Sequence, residues 1–315
     1  MATIAPRPGQ TLLPLDWGAL APLRLRAAAI ADGVYSGAHR SSRRGAGIEF
    51  GGQRPYVPGD DLRFLDRRSL MRHDRLMIRE FETDTERALW LAVDTSASMG
   101  FRGPNAPGAK LAYAALLAAA LCRVAVAGHD PVGLAWLGAT PGIAEGSRHE
   151  FLPAGFGAAA FERTVDALER AEARGALSED LEGLERQLGA LARRARRGSV
   201  VVLFSDFLDL PESVERRLAA LGNERVLVAV QVLDAVEADF GFQGRVKLRA
   251  IEGDAVVTTD AERVREEYLA RLEAHSSRWR AAVEGVGGRL VRARTDEAPL
   301  DALRRLVQAV SEARR

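Results

Sequence analysis

At 315 residues, with 47% hydrophobic and 28% charged side chains, the chain has the composition of a soluble globular protein, long enough for one large domain with an appendage or for two domains. A net charge of +1 gives no overall field toward nucleic acid or membrane, and a single cysteine, Cys122, excludes an internal disulfide. Arg123 interrupts the longest apolar segment, and Pro14 and Asp16 break the run begun by Leu12 and Leu13, so neither a membrane span nor a leader is read and a cytoplasmic protein is expected.

In chain order, residues 1–18 carry prolines without periodicity and read as a surface arm. Leu20–Ala31 has the pattern of a short helix, with Pro22 in its first turn. Residues 37–79 are dense in arginine and glycine, carry a Pro58-Gly59-Asp60-Asp61 turn, and offer one strand, Leu76–Phe81. Asp60, Asp61, Asp66 and Asp74 interleave with the arginines, which predicts internal Arg–Asp pairing and not a nucleic-acid surface.

From Ala88 onward strands and helices alternate. Strands are predicted at Leu89–Val93, Val132–Leu137, Ser199–Phe204, Val226–Val232 and Leu290–Ala293, with a weak edge strand near Phe151. Helices are predicted at Ala109–Ala127, Phe161–Ala173, from Ser178 to the arginines before Gly198, from Pro211 to Gly222, and at Pro299–Ala313. Val246–Ile251 and Ala255–Thr258 flank Gly253-Asp254 as a hairpin. Thr259 with Glu262 has capping-box spacing for a long helix reaching Glu284. This rhythm predicts an α/β fold with a doubly wound, mostly parallel sheet, an N-terminal extension over 1–85 and the α/β domain over 86–315.

Two predicted strands run into aspartates, Asp94 and Asp206. If the strands are neighbours, both carboxylates face one crevice at the strand ends. Ser96 and Ser98 follow Asp94 at alternate positions, giving an all-oxygen donor set suited to Mg²⁺ or another hard divalent ion such as Mn²⁺ or Ca²⁺. The bland alternative is that each aspartate starts a βα turn and the serines cap a helix. Gly103 to Leu111 is a near miss to a phosphate-binding loop and is rejected, because Ala109 displaces Lys110 and Leu111 stands where a hydroxyl is needed. The five histidines have no ligand spacing.

Asp94-Thr95-Ser96-Ala97-Ser98 resembles the Asp-x-Ser-x-Ser motif of von Willebrand factor A domains, which hold a divalent ion at a metal-ion-dependent adhesion site. Upstream, Arg54-Pro55-Tyr56-Val57-Pro58-Gly59-Asp60-Asp61-Leu62-Arg63-Phe64-Leu65-Asp66, with Gly45 to Phe50 before it, resembles the signature of the bacterial family called domain of unknown function 58. The resemblance implies a von Willebrand factor A-like, Rossmann-type domain, with Asp94, Ser96, Ser98 and Asp206 as metal ligands. It also implies partnership with a MoxR-type AAA+ ATPase. Two positions depart from the pattern: Arg67 stands in place of a tryptophan, and Ser178, read as a helix cap, is the nearest hydroxyl to the threonine expected in an intermediate loop.

The function expected is therefore a non-enzymatic, metal-dependent protein-interaction module. The rival is a Mg²⁺-dependent phosphohydrolase with Asp94 as nucleophile, although Ser96 then occupies the place of a second carboxylate.

Overall fold

The computed structural model describes residues 23–37, 49–55, 77–82, 87–104, 106–138, 151–208, 210–251 and 255–313. In chain order these form α1 (Leu23–Gly37), β1 (Glu49–Pro55), β2 (Met77–Glu82) and β3 (Leu89–Asp94). A 3-10 turn, Ala97–Gly100, then leads to α2 (Lys110–Ala127), β4 (Val132–Leu137), β5 (Phe151–Gly155), α3 (Gly157–Glu169) and α4 (Leu181–Arg194). The chain continues through β6 (Val200–Ser205), α5 (Glu212–Gly222), β7 (Val226–Leu233) and the short α6 (Ala235–Asp239). It ends with β8 (Arg245–Arg249), β9 (Val256–Asp260), α7 (Ala261–Glu284), β10 (Arg289–Arg294) and α8 (Pro299–Ala313).

Six strands form one sheet in the order β10-β7-β6-β3-β4-β5, parallel throughout except for the antiparallel edge strand β5. Every residue of β3, β4 and β6 is buried. That explains their unbroken apolar sequences, since a parallel strand covered on both faces cannot alternate. On one face Leu91, Val93, Val202, Phe204 and Val230 pack with α1, α2, α3 and α8. On the other, Trp90, Ala92, Val201, Leu203 and Ala229 meet α4, α5 and α7. The fold expected from the sequence, a doubly wound, mostly parallel sheet with a late antiparallel hairpin (β8–β9), is the one observed.

Two compact units are present, residues 39–86 and the rest of the chain. The first contains β1 and β2, an antiparallel pair with an irregularity between Phe50 and Gly52. The expected boundary after residue 85 differs in one respect. Helix α1 joins the larger unit, because Leu23 and Ala27 are buried in the same core as α2. The Pro58–Asp61 turn, Arg67 and the signature beyond Pro55 lie outside the described residues, as do the N-terminal arm and Gly253-Asp254.

Two helices start later than expected, α7 because strand β9 runs on to Asp260. Asp260, not Thr259, caps α7 by accepting from the Arg263 amide at 3.3 Å. Thr259 is still in the β9 ladder opposite Val246, and Glu262 instead accepts from the Gly244 amide. Asp180, not Ser178, caps α4 by accepting from the Gly183 amide at 2.8 Å.

Apart from Lys110 and Arg123, helix α2 is apolar on all sides, as a helix enclosed by neighbours must be. Cys122 lies on it, and burial pushes its thiol from an ordinary 9.0 up to about 12. Between those values the folded chain keeps a proton that the unfolded chain has lost, so this contribution is intact below pH 9.0 and is lost as pH rises toward 12. Two results are expected: a thiol reagent reacts no faster than the chain unfolds, and Cys122→Ala flattens the fall of the thermal midpoint above pH 9.0. Labelling kinetics and thermal scans across alkaline pH check both.

Candidate functional site

The strand order reverses between β3 and β6, since β3 runs on to β4 on one side while β6 leads to β7 and β10 on the other. Parallel sheets open a crevice at the carboxyl ends of such strands. Asp94 ends β3, and Asp206 follows the last residue of β6. All four expected site residues meet there, with Asp94 and Asp206 each 1% exposed and Ser96 and Ser98 buried beside them.

The pairing Val93–Phe204 fixes what Asp94 touches, because one step further along the register sets Ser205 beside it. Ser205 donates from its hydroxyl to Asp94 Oδ2 at 2.5 Å, and the Ser96 amide donates to Oδ1 at 2.8 Å. Ser96 and Ser98 share a hydroxyl–hydroxyl bond of 3.1 Å, and Ser98 also bonds the Asp206 carboxylate. Burial pushes the Asp94 carboxyl up to about 7, and the nearby Asp206 charge adds to the rise. The hydrogen bonds from Ser205 and Ser96 oppose it.

Lys110, the first residue of α2, completes the site. Its ammonium is 0% exposed and donates to Asp206 Oδ2 and Glu237 Oε1, at 2.7 Å each. Burial and the positive end of the α2 dipole both disfavour a cation at this point. The two carboxylates outweigh the burial and hold Lys110 above the ordinary lysine range. Burial likewise works against the Asp206 charge, yet Lys110 holds that carboxyl below the ordinary range. Burial keeps Glu237 raised despite the same ammonium.

The bonds continue beyond the ion pairs. Glu237 Oε2 accepts from the Asp234 amide at 2.9 Å, and Asp234 accepts from the amides of Gly103 and Val236, both at 2.9 Å, and from the Thr295 hydroxyl at 3.1 Å. One polar network thus ties together the loops after β3, β6, β7 and β10. The intermediate loop expected to supply a threonine docks by its main chain instead. The Ala97 amide donates to Gly175 O and the Arg174 amide to Thr95 O, both at 2.8 Å, while Ser178 is exposed.

The donor types suit a hard divalent ion, but their placement does not. An ammonium sits against Asp206, 2.7 Å from its Oδ2. A divalent ion bound to Asp206 would lie roughly 5 Å from that ammonium, a repulsion of about 7 kcal/mol at an effective dielectric near 20.

Sequence reasoning missed Ser205, Glu237 and Lys110 as site residues. Lys110 carried a usable signal, since it opens an apolar 18-residue helix at the end where its charge is least favoured. Ser205 could be found only with the β3–β6 register in hand.

Among known proteins, residues 52–278 match the family described as "Protein of unknown function DUF58". An uncharacterized protein of Mycobacterium tuberculosis is 31% identical over 303 residues, which cover 94% of this chain and 89% of that one. Two solved structures are similar. An aerotolerance-related membrane protein from Bacteroides fragilis has a TM-score of 0.39 and 15% identity, over 72% of this chain and 99% of that one. A von Willebrand factor type A protein from Catenulispora acidiphila has a TM-score of 0.36 and 10% identity, over 75% and 44%.

The cytoplasmic expectation is corrected here and withdrawn, because the Bacteroides fragilis neighbour is described as a membrane protein. That expectation rested on a search for apolar spans, which decides little in this fold. Among the described residues one helix, α2, is long and apolar enough to cross a membrane, and most of it is buried in the core. The match over 52–278 together with the mycobacterial relative shows the family: the chain belongs to the DUF58 proteins of unknown function.

Proposed function

We propose that this chain is a non-enzymatic protein-interaction module, an adaptor that presents the strand-end loops of its α/β unit to a MoxR-type AAA+ ATPase. The observation that carries this reading is the contrast between the floor of the site and its rim. On the floor the charged groups are buried and engaged with one another. Around it Arg102, Pro104, Arg174 and Leu208 are exposed on loops whose main chain is fixed by that network. A rigid rim with two arginines and an apolar side chain suits a partner segment that is acidic with an apolar anchor.

The same bonds argue against Asp94 as a phosphoryl nucleophile. A nucleophile needs an accessible oxygen, and Asp94 is 1% exposed with both oxygens engaged. No metal step is placed in the proposed function, because the ammonium stands against Asp206.

Leu208, 39% exposed, gives the direct test. Leu208→Asp is expected to weaken binding to the ATPase at least about tenfold, a loss of roughly 1.4 kcal/mol. As a surface change it should alter stability by less than about 0.5 kcal/mol. Calorimetric titration with purified partner, beside a thermal scan, checks both. Unchanged binding by Leu208→Asp and by Arg174→Glu would refute the proposed surface.

A further inference from the structure

We infer that the Lys110 ammonium is the resident cation of this site, standing between the Asp206 and Glu237 carboxylates, where a divalent ion bound to Asp206 would otherwise lie. The inference concerns the same loops as the proposed function, but it does not depend on which partner they bind.

Three features carry it. The first is position: Lys110 reaches from the start of α2 into the crevice and lies 2.7 Å from an oxygen of Asp206, a residue otherwise expected to ligate metal. The second is connectivity. Through Asp206 and Glu237 the ammonium links the loops after β3, β6 and β7, the bridging role that a cation plays between carboxylates from separate segments. The third is enclosure. The ammonium is 0% exposed, lies 5.8 Å from the centre of the Phe101 ring, and has carboxylate partners on two different elements.

A tethered ammonium differs from a metal ion in two ways that matter here. It cannot be removed by a chelator, and, fully buried, it offers no accessible position to an incoming carboxylate. The site then works as a permanent internal brace for the loops, and recognition falls to the rim.

The test is a Mn²⁺ titration of the full chain followed by electron paramagnetic resonance, in which bound Mn²⁺ drops out of the free-ion signal. The wild-type protein is expected to leave the free signal unchanged into the millimolar range, and its thermal midpoint should be the same in EDTA and in Mg²⁺. Lys110→Met, one heavy atom shorter and so vacating only the ammonium position between Asp206 and Glu237, is expected to take up one Mn²⁺ per chain and to regain thermal stability with it.

Wild-type uptake of one Mn²⁺ that Asp94→Asn abolishes would overturn the inference. A folded Lys110→Met chain that takes up no Mn²⁺ would overturn it as well. Should that variant not fold, the wild-type titration decides alone. None of these readouts involves a partner, so the adaptor reading can fail while this inference stands, and the reverse.

Discussion

Lys110→Met is expected to lower the unfolding free energy by about 3–5 kcal/mol, the largest loss of any single substitution in the site. The methionine fills nearly the same volume, so the cost is electrostatic. Removing the ammonium leaves the buried Asp206 and the half-buried Glu237 with no counter-charge, and Asp206 still raises the Asp94 carboxyl beside it. Urea unfolding with an unchanged denaturant slope checks the magnitude. A neutral triple variant, Lys110→Met with Asp206→Asn and Glu237→Gln, should recover a large part of the loss, because replacing a whole buried ion cluster costs far less than breaking it. Acidification should also partly rescue Lys110→Met. Without the ammonium the two carboxyls titrate above their unfolded values, so their unfavourable contribution is absent at low pH and grows as pH rises.

Asp234→Ala should cost about 3 kcal/mol or more, although Asp234 makes no ion pair at the site. Its carboxylate accepts from three donors on three segments: the amides of Gly103 and Val236 and the hydroxyl of Thr295. The residue is 0% exposed, so alanine leaves those donors without water, at roughly 1–3 kcal/mol for each unsatisfied group, less than fully additive. Asp239, five residues on, is the control. It makes a two-pronged contact with Arg294 at 2.7 Å on each arm, but both side chains are substantially exposed. Asp239→Ala is expected to cost less than about 1 kcal/mol. Chemical denaturation of the two variants side by side decides whether burial or formal charge pairing governs stability here.

How much of this was legible depended on how each residue earns its place. Strands β3, β4 and β6 could be read because strands covered on both faces are continuous apolar runs, and Asp94 and Asp206 mark where two of them stop. The bounds of α8, Pro299–Ala313, were legible in full, with Pro299 at its start and apolar positions recurring at helical spacing. Strand β1 was not, since Glu-Phe-Gly-Gly-Gln-Arg-Pro does not alternate and its ladder is irregular at the glycines.

At the site, Asp94, Ser96, Ser98 and Asp206 could be named because motif and strand ends coincide. Their partners could not. Glu237 sits in a five-residue helix too short to show a period, and Ser205 acquires its role only from the alignment of β3 with β6. Lys110 stood out as the misplaced lysine of a rejected phosphate loop and as a charge at the unfavourable end of an apolar helix, and neither signal names its partners. Its meaning comes from a tertiary fact, that the start of α2 lies against carboxylates nearly a hundred and more residues away in sequence.

If this α/β unit binds its partner through loops braced from within by Lys110, that binding needs no divalent ion. The most direct test is calorimetric binding of the MoxR-type ATPase to the full chain in Mg²⁺ and again after EDTA treatment of this protein, with the ATPase nucleotide state held fixed. Equal affinity is expected in the two conditions, with a loss for Leu208→Asp in both. Affinity abolished by EDTA and restored by Mg²⁺, with Leu208→Asp binding like wild type, would contradict it.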